Sequence, residues 1–221
     1  MAHFTHHSEE NYLKTLFSLG QKQIKKVNNV ALAKALDLNP ATVLEMVRKL
    51  STKNLVAMQA DKSIQLTEKG RKKALLTIRR HRLWEVFLVE KLQYKWNEVH
   101  ELAEQLEHVE SIDLTDRLDA FLGYPGFDPH GDPIPDKNGK LKLNISMPLS
   151  AGQKGKTYRV ISLAETQDSF LDYLGQLNIR PGTRIKITDL QAYDQSCAVL
   201  VQKKAIQLSE KVARNILVEP V

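Results

Sequence analysis

Two short helical patterns separated by a tight turn constrain the fold of this chain more than any other feature. An apolar-periodic run at residues 28–36 leads into the turn 37–40, Asp-Leu-Asn-Pro. There an asparagine suits a helix cap and the proline suits the first helical position. A second amphipathic helix then extends from residue 40 to residue 50, and residues 55–60 and 63–67 alternate like two strands. Helix, turn, helix and hairpin in this order predict a winged helix-turn-helix.

In a winged helix-turn-helix, the second helix of the pair enters the major groove of DNA and the hairpin contacts phosphates. We therefore expect the first turns of this helix, and one residue of the hairpin, to face DNA. The predicted DNA-contacting residues are Asn39, Ala41, Thr42, Leu44, Glu45, Arg48 and Lys62. The alternative is a packing module of three helices and a hairpin that binds no nucleic acid.

Charge is distributed unevenly along the 221 residues, whose formal net charge is +6. Residues 48–82 contain eleven Lys and Arg but two acids, whereas residues 97–119 contain eight acids but one base. A basic surface suits a polyanion, although a solvated helix face has the same appearance. Because the basic segment overlaps the helix-turn-helix pattern, DNA is the favoured partner.

Several classes of protein are disfavoured by the sequence. No apolar run approaches the roughly 20 residues that a membrane helix needs, and residues 1–10 are polar, unlike a signal peptide. We expect a cytoplasmic protein with no membrane partner. The single cysteine, Cys197, excludes an internal disulfide and a cluster of thiolates, so a bound metal would have nitrogen and oxygen ligands.

The segment from His100 to His108 carries histidines and carboxylates at ligand spacing. If one helix spans it, His100, Glu104, Glu107 and His108 share a face, because positions i, i+4, i+7 and i+8 do so. The spacing predicts a metal site. Neutral imidazole and carboxylate together suit Mn(II), Fe(II), Co(II), Ni(II) or Zn(II).

A second pair with the same spacing precedes this segment. His81 and Glu85 are four residues apart on a long helix predicted from Thr67 to about Leu92. The simpler interpretation of such pairs is an ion pair on a solvated face. Six ligand-type residues on two neighbouring helices make that interpretation weaker.

Enzyme chemistry is the alternative from another class. His100-Glu101-Leu102-Ala103-Glu104 differs from the zinc-peptidase pattern His-Glu-x-x-His at its last position, and no later histidine restores the spacing. The sequence also lacks a glycine-rich phosphate loop and a Gly-x-Ser-x-Gly turn. A metallohydrolase is therefore disfavoured. Among binding proteins, the alternative is a winged-helix repressor that senses an organic ligand in its helical region.

Composition divides the chain into four predicted parts. Residues 1–73 form the winged-helix domain, and residues 74–122 form a helical domain whose excess apolar surface suits a homodimer interface. Residues 123–155 predict a linker, because 122–155 hold eleven of the eighteen Gly and Pro. Residues 156–221 alternate like strands and predict a small barrel-like domain. The expected fold class is mainly α with small β parts.

This order of parts resembles the iron- and manganese-dependent repressors of the diphtheria toxin repressor family. The resembling blocks are Ser8-Glu9-Glu10-Asn11-Tyr12-Leu13, Leu66-Thr67-Glu68-Lys69-Gly70, Arg80-His81-Arg82-Leu83, Val99-His100, Glu107-His108-Val109 and His130-Gly131-Asp132-Pro133-Ile134-Pro135. Residues 156–221 resemble the family's SH3-like β-barrel domain more loosely. The resemblance implies a metal-dependent repressor that binds a palindromic operator in double-stranded DNA as a homodimer.

The resemblance also implies two metal sites. The primary site would comprise Asn11, Glu104, Glu107 and His108, and the ancillary site His81, Glu85, His100, Asp128, His130 and Glu165, with Asp168 as a rival to Glu165. Asn11 departs from the usual Met or Asp of the family. Glu104 stands where toxin-repressor-like members have Cys, which favours Mn(II), with Fe(II) as the alternative and other divalent transition metals expected to bind in vitro. His6 and His7 are expected in a solvated tail.

Overall fold

The computed structural model describes residues 9–21, 26–141 and 145–221, and within them eight α-helices and eight strands fall into two units. The first unit extends as far as His81 and includes residues 107–110 and 135–140. The second unit comprises residues 82–106, 111–134 and 141–221. Ser8, the first residue of the first resembling block, and the predicted tail residues His6 and His7 lie outside the described residues.

The first unit begins with the predicted winged helix-turn-helix. Its elements are α1 (Glu9–Gln21), α2 (Asn29–Leu36), α3 (Pro40–Thr52), the antiparallel strands β1 (Val56–Met58) and β2 (Ile64–Leu66), and the start of α4 (Glu68–Glu90). The side-chain oxygen of Asn28 accepts a hydrogen bond from the N–H of Ala31 at 2.9 Å, and that of Asn39 accepts one from Ala41 at 2.8 Å. These caps begin α2 and α3 where the sequence predicts them.

Apolar residues of α1, α2 and α3 form the core of this region. Leu13, Leu32, Val43, Val47 and Leu50 are fully buried, as the helical periodicity predicts. The start of α4 lies very close to the chain that enters β1. A Cβ atom built on Gly70 would lie 1.9 Å from the carbonyl oxygen of Leu55, so glycine is needed at this position.

The second unit contains the end of α4, α5 (His100–Leu106) and α6 (Ile112–Phe121). Leu88, Val99 and Ala103 form a small buried cluster there. The expectation that one helix spans His100 to His108 was wrong, because α5 ends at Leu106. No helix within the described ranges has both the length and the apolar content needed to cross a membrane.

The second unit also contains a six-stranded antiparallel sheet, so the fold is mixed α/β and the expected mainly α fold with small β parts was wrong. The strands of this sheet lie in the order β3 (Met147–Pro148), β8 (Ile216–Pro220), β4 (Thr157–Leu163), β5 (Arg184–Leu190), β6 (Cys197–Val201) and β7 (Lys204–Leu208). The helices α7 (Asp168–Gln176) and α8 (Glu210–Asn215) accompany it. The end strands β3 and β7 do not pair with each other among the described residues, so the sheet is open and differs from the predicted barrel.

The glycine- and proline-rich segment contains buried, ordered residues. Asp128, His130 and Gly131 are buried, and Phe127 bridges Pro133. Gly131 has a φ of +87°, and a Cβ atom there would lie 1.9 Å from the carbonyl oxygen of Ile161. Only glycine fits this close approach, which fixes the loop against β4.

Candidate metal centre

Three ligand-type side chains meet in the interior of the second unit. Glu85 on α4 and Asp128 and His130 in the glycine-rich segment are all buried. One ligand atom from each lies within 4.8 Å of the other two. Nδ1 of His130 is 3.7 Å from Oε2 of Glu85, and Nδ1 of His100 is 3.4 Å from Oε1 of the same carboxylate. This arrangement provides imidazole nitrogen and carboxylate oxygen at one point.

The orientation of His130 is set by Trp96. Nε2 of His130 donates a hydrogen bond of 2.8 Å to the carbonyl oxygen of Trp96, and the two rings stack with their centroids 5.9 Å apart. With a proton held on Nε2, Nδ1 is the nitrogen that faces Glu85. A carbonyl that fixes the second nitrogen of a histidine in this way is typical of metal ligands.

Asp128 is oriented by its own loop and by Arg82. Its Oδ1 accepts hydrogen bonds from the N–H groups of His130 at 2.8 Å and Asp132 at 2.9 Å. Its Oδ2 lies 3.5 Å from Nε of Arg82. Arg82 also donates to the carbonyl oxygen of Pro133 at 2.5 Å. The loop is therefore held in place independently of any ligand.

Burial and neighbouring charges shift the pKa values of both Asp128 and His130. Burial, with the charges of Glu85 and Asp132 nearby, raises the pKa of Asp128 to about 7. Burial alone would lower the pKa of His130, but the hydrogen bond and charge of Glu85 outweigh it and raise this pKa to about 9. Clustered buried carboxylates are stabilised by a nearby cation, which here is the imidazolium of His130. A divalent metal that displaces the proton from this imidazole also fits the nitrogen and oxygen set.

A second cluster lies wholly within the first unit and centres on Glu107, whose side chain is 0% exposed. Nζ of Lys14 donates to both of its carboxylate oxygens, at 2.7 and 2.9 Å. Nδ1 of His81 lies 2.6 Å from its Oε2. Nε of Arg80 donates to its carbonyl oxygen at 2.5 Å. That last contact engages the backbone at the residue immediately after the end of α5.

The same cluster connects α1 to the residue after Glu107. Oε2 of Glu10 lies 2.9 Å from Nδ1 of His108, and Oε1 of Glu10 accepts a hydrogen bond of 2.6 Å from Arg80. Burial would raise the pKa of Glu10, but the hydrogen bond from His108 and the charge of Arg80 outweigh it and lower this pKa. Glu10 is thus held as a carboxylate.

Sequence reasoning missed Glu10 and Lys14 and chose their neighbour Asn11. A signal was present, because Glu10 is three residues before Leu13 and seven before Phe17 on the buried stripe of α1. A carboxylate on such a stripe needs a partner. Lys14, four residues after Glu10, shares its side of the helix.

The remaining predicted ligands have other surroundings. Asn11 is half-buried on α1 in the first unit, and Glu104 is half-buried on α5 in the second. Glu165 lies outside the Glu85 group, and its Oε2 accepts a hydrogen bond of 3.1 Å from Asn215. Asp168 is exposed at the first position of α7.

The predicted DNA-contacting residues lie on the surface of the first unit. Lys62 has a φ of 63° at the tip of the hairpin, beside Asp61, which accepts hydrogen bonds from Ser63. Leu44 is half-buried, and the exposed members of the set are Asn39, Ala41, Thr42, Glu45, Arg48 and Lys62. The set is therefore accessible to a large partner.

Comparison with known families assigns all three regions of the chain. Residues 4–64 match the family described as iron dependent repressor, N-terminal DNA binding domain. Residues 67–136 match iron dependent repressor, metal binding and dimerisation domain. Residues 147–220 match the FeoA domain.

Individual relatives agree with these matches. The iron-dependent repressor IdeR of Mycobacterium tuberculosis is 36% identical over 136 residues, 62% of this chain and 57% of that protein, so the chain spans just over half its length. The diphtheria toxin repressor of Corynebacterium diphtheriae is 28% identical over 220 residues, 95% of this chain and 96% of that protein.

A solved structure extends the likeness to three dimensions. A manganese-dependent transcriptional repressor in complex with manganese superposes with a TM-score of 0.88 at 33% identity, over 97% of this chain and 100% of that one. The resemblance carried by the sequence motifs is confirmed. The chain belongs to the diphtheria toxin repressor family of iron- and manganese-dependent transcriptional repressors.

Proposed function

We propose that this chain is a transcriptional repressor whose binding to double-stranded DNA depends on a divalent metal. The buried group of Glu85, Asp128 and His130 supports this most directly, because it is acid-rich and consists of oxygen and imidazole donors. The exposed face of α3 in the first unit supplies a surface for the major groove.

Mn(II) is the metal that we propose first, and Fe(II) second. The donor atoms at this group are carboxylate oxygens and imidazole nitrogen, and Cys197 is buried in the core of the sheet. Such donors suit Mn(II) and Fe(II) better than thiophilic metals. A bound metal would supply positive charge to the carboxylates in place of a proton on His130. Glu85, Asp128 and His130 would hold it, with His100 as a further ligand.

Contacts within the first unit connect Glu107 and His108 to the helices that face DNA. Glu107 and His108 each bind a residue of α1, through Lys14 and Glu10 respectively. The buried side of α1 contributes Leu13 to the core that also holds α2 and α3. A ligand changes DNA affinity only when it binds one conformation more tightly than another. We propose that metal favours the conformation in which α3 suits DNA.

A homodimer on a palindromic operator completes the proposal. The side chains of Ile112 and Phe121, at the two ends of α6, are 79% and 64% exposed. Exposed apolar side chains on one short helix suit a protein interface. In a twofold dimer, two copies of α3 would fit half-sites about one helical turn apart.

DNA selected from a random pool with the Mn(II)-loaded protein provides the test. We expect fluorescence anisotropy at fixed salt to show binding about 5- to 150-fold tighter with Mn(II) than with chelator, the range typical of allosteric coupling. Fe(II) under anaerobic conditions should act in the same direction. Equal affinity with metal and with chelator would contradict the proposal.

A further inference from the structure

The ammonium group of Lys14 occupies the position of a cation at Glu107. Its Nζ lies 2.7 Å from one carboxylate oxygen and 2.9 Å from the other. The side chain of Glu107 is 0% exposed and that of Lys14 is 16% exposed. One ammonium thus bridges both oxygens of a buried carboxylate, as a metal ion would.

Each carboxylate in this cluster has a cation of the chain beside it, and Glu110, which also contacts Glu10, pairs with Lys73 at 3.4 Å. The carboxylates of Glu107 and Glu10 face the ammonium of Lys14 and the guanidinium of Arg80. His81 and His108 complete the surroundings, with Nδ1 of His81 at 2.6 Å from Glu107 and Nε2 of His108 at 3.9 Å. Buried charges are stable when they are paired in this way.

The Glu85 group differs in this respect. Arg82 contacts Asp128 and Asp132, and the imidazole Nδ1 of His130 lies 3.7 Å from Glu85. A divalent ion at that group would displace a proton from an imidazole, as metal binding to histidine commonly does. At Glu107 the ion would instead meet a carboxylate that already has the ammonium group of Lys14 on both of its oxygens. The arrangement at Glu107 therefore does not fit a metal as it stands.

We propose that Lys14 is a resident counter-ion that opposes metal binding at Glu107, so that its side chain sets how much metal the Glu107 cluster takes up. The inference rests on the proposed function, because it concerns the second metal site of a metal-dependent repressor. It assigns a role to a residue outside the ligand set that the sequence motifs imply.

The test is a titration of the purified full chain with Mn(II), followed by the electron paramagnetic resonance signal of free Mn(II). Lys14→Gln removes the charge but keeps a hydrogen-bond donor for Glu107. It should bind one more equivalent of Mn(II) than wild type over the same range, or bind the second equivalent at least about tenfold more tightly, because the ion no longer competes with a buried ion pair.

Two further variants control for charge and folding. Lys53→Met removes a positive charge from an ion pair with Glu9 at the surface of the same unit, and it should titrate as wild type does. Lys14→Arg keeps the charge and should also titrate as wild type. Thermal unfolding in chelator should occur at a lower temperature for Lys14→Gln than for wild type. Mn(II) should raise the unfolding temperature of Lys14→Gln by more than it raises that of wild type.

The outcomes separate this inference from the proposed function. A Lys14→Gln titration that matches wild type in stoichiometry and affinity overturns the role of Lys14, whatever the DNA result. If the DNA affinity of the wild-type chain does not change when Mn(II) is added, the proposed function is contradicted instead. If Lys14→Gln does not fold in chelator, Lys14→Arg provides the test. This variant keeps the positive charge, so Mn(II) binding that is tighter than in wild type would overturn the inference.

Discussion

Nδ1 of His108 lies 2.9 Å from Oε2 of Glu10, and this contact joins the turn after α5 to the first helix of the winged helix-turn-helix. The other oxygen of Glu10 accepts a hydrogen bond from Arg80. One buried carboxylate on α1 is thus shared by a residue of α4 and a predicted metal ligand. Glu107 and His108 are thus both in direct contact with α1, through Lys14 and Glu10 respectively.

Replacing Glu10 should destabilise the first unit strongly. Glu10→Ala leaves the guanidinium of Arg80 without its carboxylate partner, and breaking a buried pair costs about 3–5 kcal/mol. Urea denaturation in chelator measures the loss. Glu9→Ala is the matched control, since Glu9 pairs with the exposed Lys49 and Lys53, and surface pairs contribute at most about 1 kcal/mol. Equal losses in the two variants would show that Glu10 has no special role.

Asp128→Asn should separate metal binding from stability. The amide oxygen can still accept the hydrogen bonds from His130 and Asp132, while the variant loses a buried carboxylate whose pKa burial raises to about 7. We expect unchanged or higher stability in chelator at pH 8, together with Mn(II) binding weakened at least about tenfold through loss of a charged ligand. Calorimetry measures both quantities. An Asp128→Asn chain that binds Mn(II) like wild type would remove Asp128 from the site.

The hairpin lysine should contribute charge without sequence preference. Lys62→Asn preserves the left-handed backbone at a φ of 63°, which asparagine tolerates, and removes one positive charge. DNA binding should weaken to a similar extent on every sequence, and the slope of log affinity against log salt should fall by about 1. Lys204→Asn, at an exposed position of β7, is the control. An unchanged slope would place the hairpin away from phosphates.

Cys197 should be chemically inert in the folded protein. It is fully buried in the core of the sheet, and burial raises the pKa of its thiol to about 11. At pH 8 the thiolate that reacts with disulfide reagents is therefore scarce and inaccessible. We expect labelling by such a reagent only after unfolding in guanidinium, where the same chain reacts at once. Rapid labelling of the folded protein would show that the sheet opens readily.

Local signals made much of the fold predictable. The caps Asn28 and Asn39 and the proline at position 40 place α2 and α3 where the sequence predicts them. Helical periodicity likewise locates α4, and the alternation over residues 156–221 indicates the strands found there. Each of these elements depends on neighbours within a few residues, so the sequence contains the necessary information.

The features that the sequence did not reveal depend on distant contacts. Apolar periodicity continues beyond Leu106, yet α5 ends there, and the next carbonyl, that of Glu107, accepts a hydrogen bond from Arg80. Glu10 was overlooked in favour of Asn11 because a motif alignment does not show which of two neighbours faces the interior. The short strand β7 carries alternating polar residues and is defined mainly by its pairing with β6.

The two clusters of ligand-type residues also combine features that the sequence motifs predicted with contacts that the motifs did not reveal. Sequence motifs assigned Glu85, Asp128 and His130 to one ancillary set, and the structure brings these three together. The motifs gave no indication that the carbonyl oxygen of Trp96 orients His130 or that Lys14 binds Glu107. Those contacts join residues separated by 34 and 93 positions, and neither residue type suggests the role by itself.

Reciprocity of metal and DNA binding tests the account most directly. If Mn(II) tightens binding to the selected DNA by some factor, that DNA must tighten Mn(II) binding by the same factor, since coupling between two ligands is mutual. We predict that the affinity for Mn(II), measured by paramagnetic resonance of free Mn(II), rises about 5- to 150-fold when saturating DNA is present. Identical Mn(II) affinity with and without that DNA would contradict metal-dependent DNA binding.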